Sequence, residues 1–214
     1  MNEDLVMELE DLRLAVYRSF AATGQAPTAA TLAAQLGTDN AEVKSGLERL
    51  AHNRHVVLSN DDDIVMAHPF SAVPLGFAVM GQATLWWGGC AWDSFALPQL
   101  VREPEPVLVA TRCPACDTPH AWNVGAHQPP DGDEVAHFLV PAAHMWDDVV
   151  HTCGNQRILG EFFRNAHIAH DASQPGNHPS RLDLPDCFNR AMCLGSTHSH
   201  RSHHVQPFNA TSRL

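Results

Sequence analysis

Two side chains that could do chemistry together lie three residues apart in an apolar and aromatic part of the chain. Residues 85–95 hold three tryptophans and a phenylalanine around Cys90 and Asp93. Burying a carboxylate in such surroundings is costly unless it has a partner or a task. Burial raises the pKa of a carboxyl group, so an aspartic acid here could hold a proton near neutral pH and then deliver it. A deprotonated cysteine beside it is a soft nucleophile or a ligand for a soft metal.

A third residue of interest, Cys153, lies far along the sequence, behind a strand that we expect at residues 149–150. The pair formed by Cys90 and Asp93, the apolar run that follows it and the distant Cys153 together resemble the organomercurial (alkylmercury) lyases. A helix-turn-helix-like N-terminus fits the same family, so the resemblance covers residues 5–153. The Cys-x-x-Asp spacing is a weak signal alone, and the order of all these features carries the resemblance.

The resemblance implies that the protein cleaves the carbon–mercury bond of R–Hg⁺ and releases a hydrocarbon and Hg(II). Cys90 and Cys153 would bind the mercury, because thiolates are the natural ligands of a soft ion. Two thiolates push electron density towards the carbon and weaken its bond to mercury. Asp93 would take a thiol proton and later pass one to the carbon. No further cofactor is implied, and cellular thiols or a mercuric reductase would take the released ion.

The same three residues have a plainer structural interpretation. Cys90 and Cys153 could be buried core thiols, which are common, and Asp93 could cap a helix that begins just after it. Such a helix would direct backbone N–H groups at Cys90 and lower the pKa of its thiol. The sequence leaves this alternative open.

The residues that surround the motif depart from the family pattern. Where the family has aliphatic residues and a single aromatic one, this chain has Trp86, Trp87, Gly88, Gly89 and Trp92. Adjacent glycines let the backbone turn or approach a ligand closely. These changes keep the two cysteines and the aspartate but reshape the pocket, so a relative of the lyases with a different substrate is an alternative function.

The other cysteines offer a second candidate metal site. Cys113 and Cys116 form a Cys-x-x-Cys pair, which is half of a zinc site. His120 follows closely, and Cys187 or Cys193 could complete a set of four ligands. Structural zinc, isolated thiols and an accessory mercury or redox pair are all compatible with this pair. Cys187 and Cys193 by themselves are expected to be isolated thiols.

The composition favours a cytoplasmic protein. The 214 residues have a formal net charge of -11, and six of them are cysteines. No stretch approaches the roughly 20 apolar residues of a membrane span, and the acidic start lacks the positive region of a signal peptide. Cysteines in a reducing cytoplasm are expected to remain thiols. Residues 196–214 form a polar, histidine-rich tail that we expect to be disordered and to bind divalent metals only adventitiously.

The N-terminal residues predict a winged-helix-like module. Apolar residues recur at helical spacing over residues 5–21, further helices are expected from Thr28 and Asp39, and residues 56–66 have a hairpin pattern. Such modules often bind DNA. Residues 1–66, however, carry eleven acidic and five basic side chains, a balance that disfavours contact with phosphates. We expect a structural module without nucleic-acid binding, and a metal-responsive transcriptional regulator is the alternative from a different functional class.

These patterns together predict an α+β fold. Residues 1–70 would form the winged-helix-like module, and residues 71–195 a catalytic core built on a mixed or antiparallel sheet with peripheral helices. Residues 196–214 would follow as the tail.

Overall fold

The computed structural model describes residues 7–101, 106–112, 117–125, 135–138, 140, 142–154, 157–159 and 180–183. Within these residues, α-helices accompany antiparallel strands, which confirms the expected α+β class. None of the helices described is long and apolar enough to cross a membrane.

The elements are numbered in chain order. The helices are α1 (Leu9–Thr23), α2 (Ala29–Leu36), α3 (Asn40–His52), α4 (Ala91–Val101) and α5 (Val149–Gly154), with a 3-10 turn, η1 (Ala142–His144), before α5. The strands are β1 (Val57–Leu58), β2 (Ile64–Ala67), β3 (Phe70–Ser71), β4 (Phe77–Met80), β5 (Leu85–Gly88), β6 (Val107–Arg112), β7 (Pro119–Val124), β8 (Val135–Phe138), β9 (Arg157–Leu159) and β10 (Ser180–Asp183).

The N-terminal helices have the caps that the sequence predicts. The side chain of Thr28 accepts a hydrogen bond from a backbone N–H at the start of α2, and Asp39 does the same for α3. Each cap satisfies a donor that the helix itself leaves unpaired. Gly24 ends α1 with a φ of 71°, a conformation that favours glycine. A Cβ at Gly24 would also collide with the carbonyl oxygen of Leu85, so α1 and β5 pack backbone to backbone here.

One antiparallel sheet joins the N-terminal hairpin to the rest of the fold. Its strand order is β1-β2-β3-β5-β4-β6-β7, and a second sheet has the order β10-β8-β9. Strands β1 and β2 form the expected hairpin, in which Val57 pairs with Met66. Strand β3 then pairs with β2 on one side and β5 on the other. Residue 70, where the sequence suggests a boundary, is therefore the first residue of a strand inside this sheet.

The side of the sheet next to α1 carries the main hydrophobic core. Phe20 of α1 stacks on Phe70 of β3 with ring centroids 5.4 Å apart. The indole N–H of Trp86 on β5 donates to the carbonyl oxygens of Phe20 and Ala21, at 2.9 and 3.1 Å. Each large apolar side chain that is fully buried contributes about 1.5–3 kcal/mol. These contacts fix β5, the strand that leads directly to Cys90.

The turn from β5 into α4 is tight and depends on small residues. Ser94 donates from its hydroxyl to the carbonyl oxygen of Cys90 at 2.6 Å, and its backbone N–H donates to the same oxygen. A Cβ at Gly88 would collide with that hydroxyl. Helix α4 begins at Ala91 and continues past Pro98 to Val101, so the proline does not end it.

The segment before Cys153 differs from the sequence-based expectation. Residues 149–150 were expected to form a strand, but they begin helix α5. Asp148 supplies the reason, because its carboxylate accepts a hydrogen bond from the backbone N–H of His151 at 2.9 Å. This N-terminal cap outweighs the preference of two valines for extended structure. As a result, Cys153 lies on a helix and points into the protein.

Candidate active site

Cys90 and Asp93 lie at the start of α4, where the chain leaves β5. Both are buried, with 3% of Cys90 and 6% of Asp93 exposed. The backbone N–H of Asp93 donates to Sγ of Cys90 at 3.4 Å. The tight turn thus places a thiol and a carboxyl group on the same side of the helix start.

Cys153 approaches the same point from α5. Only 1% of it is exposed, and its thiol lies within 4.8 Å of a carboxyl oxygen of Asp93. Both cysteines are free thiols in a small apolar cluster with Met66 and Val149. The structure therefore brings together the three residues that the sequence singled out, from two separate helices.

The sequence did not indicate the fourth member of the cluster, His68. It lies in the turn between β2 and β3, and its Nδ1 is 3.1 Å from Oδ2 of Asp93. His68, Asp93 and Cys153 each offer an atom within 4.8 Å of the others. Burial lowers the pKa of His68, but the charge and hydrogen bond of Asp93 and the charge of Cys153 outweigh burial and raise it to about 9.

The thiol of Cys90 behaves differently from the sequence-based expectation. The N–H of Asp93 does favour its thiolate, as a helix start should. Burial, the hydrogen bond with Cys153 and the negative charge of Asp93 act in the opposite direction and raise the pKa of Cys90 well above its usual value. The expected effect of the helix start is present, but burial and the neighbouring groups outweigh it, so the pKa of Cys90 is raised overall.

Gly89 makes room for the carboxyl group. A Cβ at this position would collide with Oδ2 of Asp93 and lie 2.8 Å from Cε of Met66. The backbone N–H of Gly89 donates to the carbonyl oxygen of Pro69, which links the start of α4 to the turn that carries His68. One of the two glycines that depart from the family pattern thus belongs to the site itself.

Aromatic residues cover the cluster. Trp146 contacts His68 edge to face, with ring centroids 5.4 Å apart, and the guanidinium of Arg54 lies 5.5 Å above the Trp146 ring. Trp92 packs against the apolar cluster, and its indole N–H is buried without a partner among the residues described. The site is thus enclosed by apolar surface, with few polar groups on its inner side.

The remaining candidate site residues lie elsewhere or outside the described part of the chain. His120 is on β7 and stacks on Trp122 with ring centroids 5.8 Å apart. The Cys113–Cys116 pair, Cys187, Cys193 and the histidine-rich tail lie outside the described residues, so the zinc interpretation stays a prediction. Among the described residues, the cluster around Asp93 is the group whose donors could hold a metal ion.

Comparisons with known proteins agree with the resemblance seen in the sequence. The chain superposes on a solved structure described as the mercury-bound form of MerB2, with a TM-score of 0.64 and 19% sequence identity. The superposition covers 88% of this chain and 90% of that chain. At this identity the likeness establishes the fold. No curated protein matches the chain. The model of the MerB family, described as alkylmercury lyase, matches residues 70–188. Since this match spans more than half of the sequence, the chain belongs to the alkylmercury lyase family, whose enzymes cleave carbon–mercury bonds.

Proposed function

We propose that the protein cleaves R–Hg⁺ by protonolysis, with Cys90 and Cys153 as the mercury-binding thiols and Asp93 as the proton carrier. The observations that carry this assignment are that Asp93 and Cys153 offer atoms within 4.8 Å of each other, and that both cysteines lie in one buried cluster. A soft ion held by two thiolates, with a carboxyl group beside it, is the arrangement that the chemistry requires.

Capture of the substrate begins with a thiol exchange. One cysteine displaces a ligand X from R–Hg–X, so that a sulfur–mercury bond forms, the mercury–X bond breaks and the thiol proton leaves with X. Asp93 takes the proton of the second thiol, whose sulfur then binds the same mercury. Because the pKa of Cys90 is raised, its proton needs an acceptor, and Asp93 is adjacent.

Cleavage then uses the proton that Asp93 has taken. The carboxyl group gives it to the carbon, and the electron pair of the carbon–mercury bond becomes the new carbon–hydrogen bond. Mercury stays as Hg(II) on the two thiolates, and Asp93 returns to a carboxylate. No electron is gained or lost overall, so the step needs no redox cofactor.

The apolar surroundings suit the organic group of the substrate. Met66 shares an apolar cluster with the two cysteines, and Leu75, Trp92 and Trp146 pack against that cluster. An apolar R group there would leave water and contact apolar side chains. Exclusion of water also strengthens the electrostatic interactions on which the proton transfer depends. The tryptophans make this pocket more aromatic than the family pattern, and we assign the choice of R to them.

Release of the product requires other thiols. Hg(II) held by two buried cysteines leaves when an external thiolate attacks the metal, so we propose cellular thiols, or a mercuric reductase, as the acceptors. Cys90 and Cys153 must also remain reduced. A cytoplasmic location provides both conditions, because glutathione and thioredoxin keep thiols reduced there.

We propose a structural role for residues 1–70 as a winged-helix-like module. The segment has three helices followed by a hairpin. The hairpin belongs to the main sheet, and the segment is acidic; both features support a structural role. At the hairpin tip, Asp62 forms a salt bridge with Lys44 at 3.7 Å, which occupies a lysine that phosphates would otherwise attract. Residues 71–195 would be the catalytic core and residues 196–214 the tail.

An assay with phenylmercury and excess thiol tests the proposal. The wild-type protein should release benzene, and Asp93→Asn should bind phenylmercury but release benzene at least about 100-fold more slowly, as the loss of an acid–base group does. Asp147→Asn is the matched control, since Asp147 is an exposed aspartate that is hydrogen-bonded to His144. Full activity in Asp93→Asn would refute the role of Asp93, and a wild-type protein that binds mercury without releasing benzene would refute the lyase mechanism.

A further inference from the structure

We infer that His68 is a positioning residue for the proton carrier: it holds Asp93 through Oδ2, so that Oδ1 takes the proton and delivers it. The inference rests on the proposed function, because it assumes that Asp93 protonates the carbon. It adds a residue on a different element, the turn between β2 and β3, to the three that the family pattern supplies.

The first support is the environment of Oδ2. A carboxylate only accepts hydrogen bonds, so Nδ1 of His68 carries the hydrogen in the 3.1 Å contact with Asp93. On another side, the backbone at Gly89 approaches so closely that a Cβ there would collide with the same oxygen. Oδ2 is therefore enclosed, and Oδ1 is the oxygen left to exchange a proton.

The second support is the way in which His68 is itself held. Trp146 packs edge to face on its ring, and the side chain of His68 is 20% exposed. Its Nε2 is buried and has no hydrogen-bond partner among the residues described. The ring is thus oriented by packing and by the single hydrogen bond to Asp93, which is what a positioning role requires.

The third support is the scarcity of other polar groups around the carboxyl side chain. Asp93 is buried near Met66, Cys90 and Cys153. Within the described part of the chain, His68 is the group that hydrogen-bonds its side chain. Without that donor, the carboxyl group would have no hydrogen bond from the described part of the chain to fix its orientation. Loss of the partner that orients a reacting side chain typically costs about 10–100-fold in activity.

If His68 positions Asp93, loss of His68 should slow cleavage of the carbon–mercury bond without preventing mercury binding. His68 does not supply a thiol, so both cysteines should still bind phenylmercury in its absence. The rate of benzene release in a single turnover should fall, because the proton carrier then samples unproductive orientations. In steady state, this corresponds to a lower kcat with little change in KM.

Three substitutions of His68 test the geometry. In His68→Asn the amide nitrogen takes the place of Nδ1, in His68→Gln it takes the place of Nε2, and His68→Phe has no donor. We expect His68→Gln and His68→Phe to release benzene about 10–100-fold more slowly than wild type, and His68→Asn to stay within about 5-fold because it keeps the donor. Thiol titration after phenylmercury addition should show the same number of thiols consumed in all four proteins. If His68→Phe fails to fold, the polar Asn and Gln variants still carry the comparison.

Each outcome has a definite meaning. Wild-type rates in His68→Gln and His68→Phe would overturn the inference, and so would a His68→Asn protein as slow as the Gln variant. Loss of mercury capture in a folded His68→Gln protein would overturn it too, because His68 would then act in binding. These results leave the proposed function standing, whereas a wild-type protein that captures phenylmercury and releases no benzene would refute the proposed function and the inference together.

Discussion

Gly89 and Asp93 share one space: a Cβ on the glycine would collide with Oδ2 of the aspartate. We therefore expect Gly89→Ala to displace the carboxyl group while leaving both cysteines in place. A shift of about 1 Å in a reacting group can cost about 100-fold in rate. Benzene release from phenylmercury should fall by about that factor, and thiol titration should still show as many thiols bound to mercury as in wild type.

Gly154→Ala is a suitable control for this prediction. Gly154 ends α5 next to Cys153, and a Cβ there would meet Cδ2 of Leu75 at 3.5 Å, an ordinary contact. Its activity should stay close to that of wild type. An active Gly89→Ala enzyme would show that Asp93 tolerates displacement, and an inactive Gly154→Ala enzyme would show that the site responds to any added methyl group.

Removal of either cysteine should separate binding from cleavage. In Cys153→Ala, Cys90 can still bind phenylmercury, but the second thiolate that weakens the carbon–mercury bond is absent. We expect benzene release to fall at least about 100-fold, roughly 3 kcal/mol in the barrier, while phenylmercury stays bound to Cys90. Mass spectrometry of the adduct and gas chromatography of benzene measure the two effects. Rapid benzene release from Cys153→Ala would contradict the two-thiol mechanism.

Tyr17 should make the fold sensitive to alkaline pH. Burial raises the pKa of Tyr17, the charge of Arg13 opposes this effect only partly, and its hydroxyl donates to the carbonyl oxygen of His55 at 2.8 Å. The unfolded chain releases the tyrosine proton from about pH 10 and the folded chain does not, so the free energy of unfolding should fall by about 1.4 kcal/mol per pH unit above about pH 10. Stability from this group is fully present below that pH.

Tyr17→Phe isolates this contribution, because phenylalanine does not titrate. The variant should be about 1 kcal/mol less stable than wild type near pH 8, where the hydrogen bond is lost. The difference should shrink and then reverse as the pH rises above about 10. Tyr17 is the one tyrosine of the chain, so tyrosinate absorbance reports its ionisation directly. Ionisation of the folded protein near pH 10 would contradict the prediction.

Trp86 and Trp87 should differ in their contribution to stability. The Trp86 indole is buried and donates to two carbonyl oxygens of α1, whereas Trp87 is only partly buried. Trp86→Phe loses the hydrogen bonds and leaves a cavity, so urea unfolding should show a loss of about 2–3 kcal/mol. Trp87→Phe should cost less than about 1 kcal/mol. If both substitutions lowered the free energy of unfolding equally, the hydrogen bonds from Trp86 to α1 would contribute little to stability.

The local features of the fold were predictable because they depend on neighbouring residues. Thr28 and Asp39 cap helices at the positions where their sequence context indicates a helix start. The hairpin of β1 and β2 has the alternating pattern that one buried face produces. Cys90 and Asp93 also follow from short-range spacing, since three residues at a helix start place two side chains on one side.

The features that sequence reasoning missed depend on contacts across the fold. His68 lies in the turn between β2 and β3 and hydrogen-bonds Asp93 at the start of α4. No spacing in the sequence indicates that contact. The two valines before Cys153 predict a strand, but the cap that Asp148 supplies makes this segment helical. The raised pKa of Cys90 depends on its burial and on its contact with Cys153, which only the tertiary structure provides.

The continuous sheet sets a lower limit on how far a chain of this kind can be shortened. The stretch that identifies the family begins at residue 70, yet a chain trimmed to that point would lose β2, the partner of β3, and uncover the aromatic face on which α1 packs. An unpaired strand beside exposed apolar surface is a template for aggregation. We therefore expect a chain that begins at residue 70 to aggregate, although it keeps every residue that matches the family.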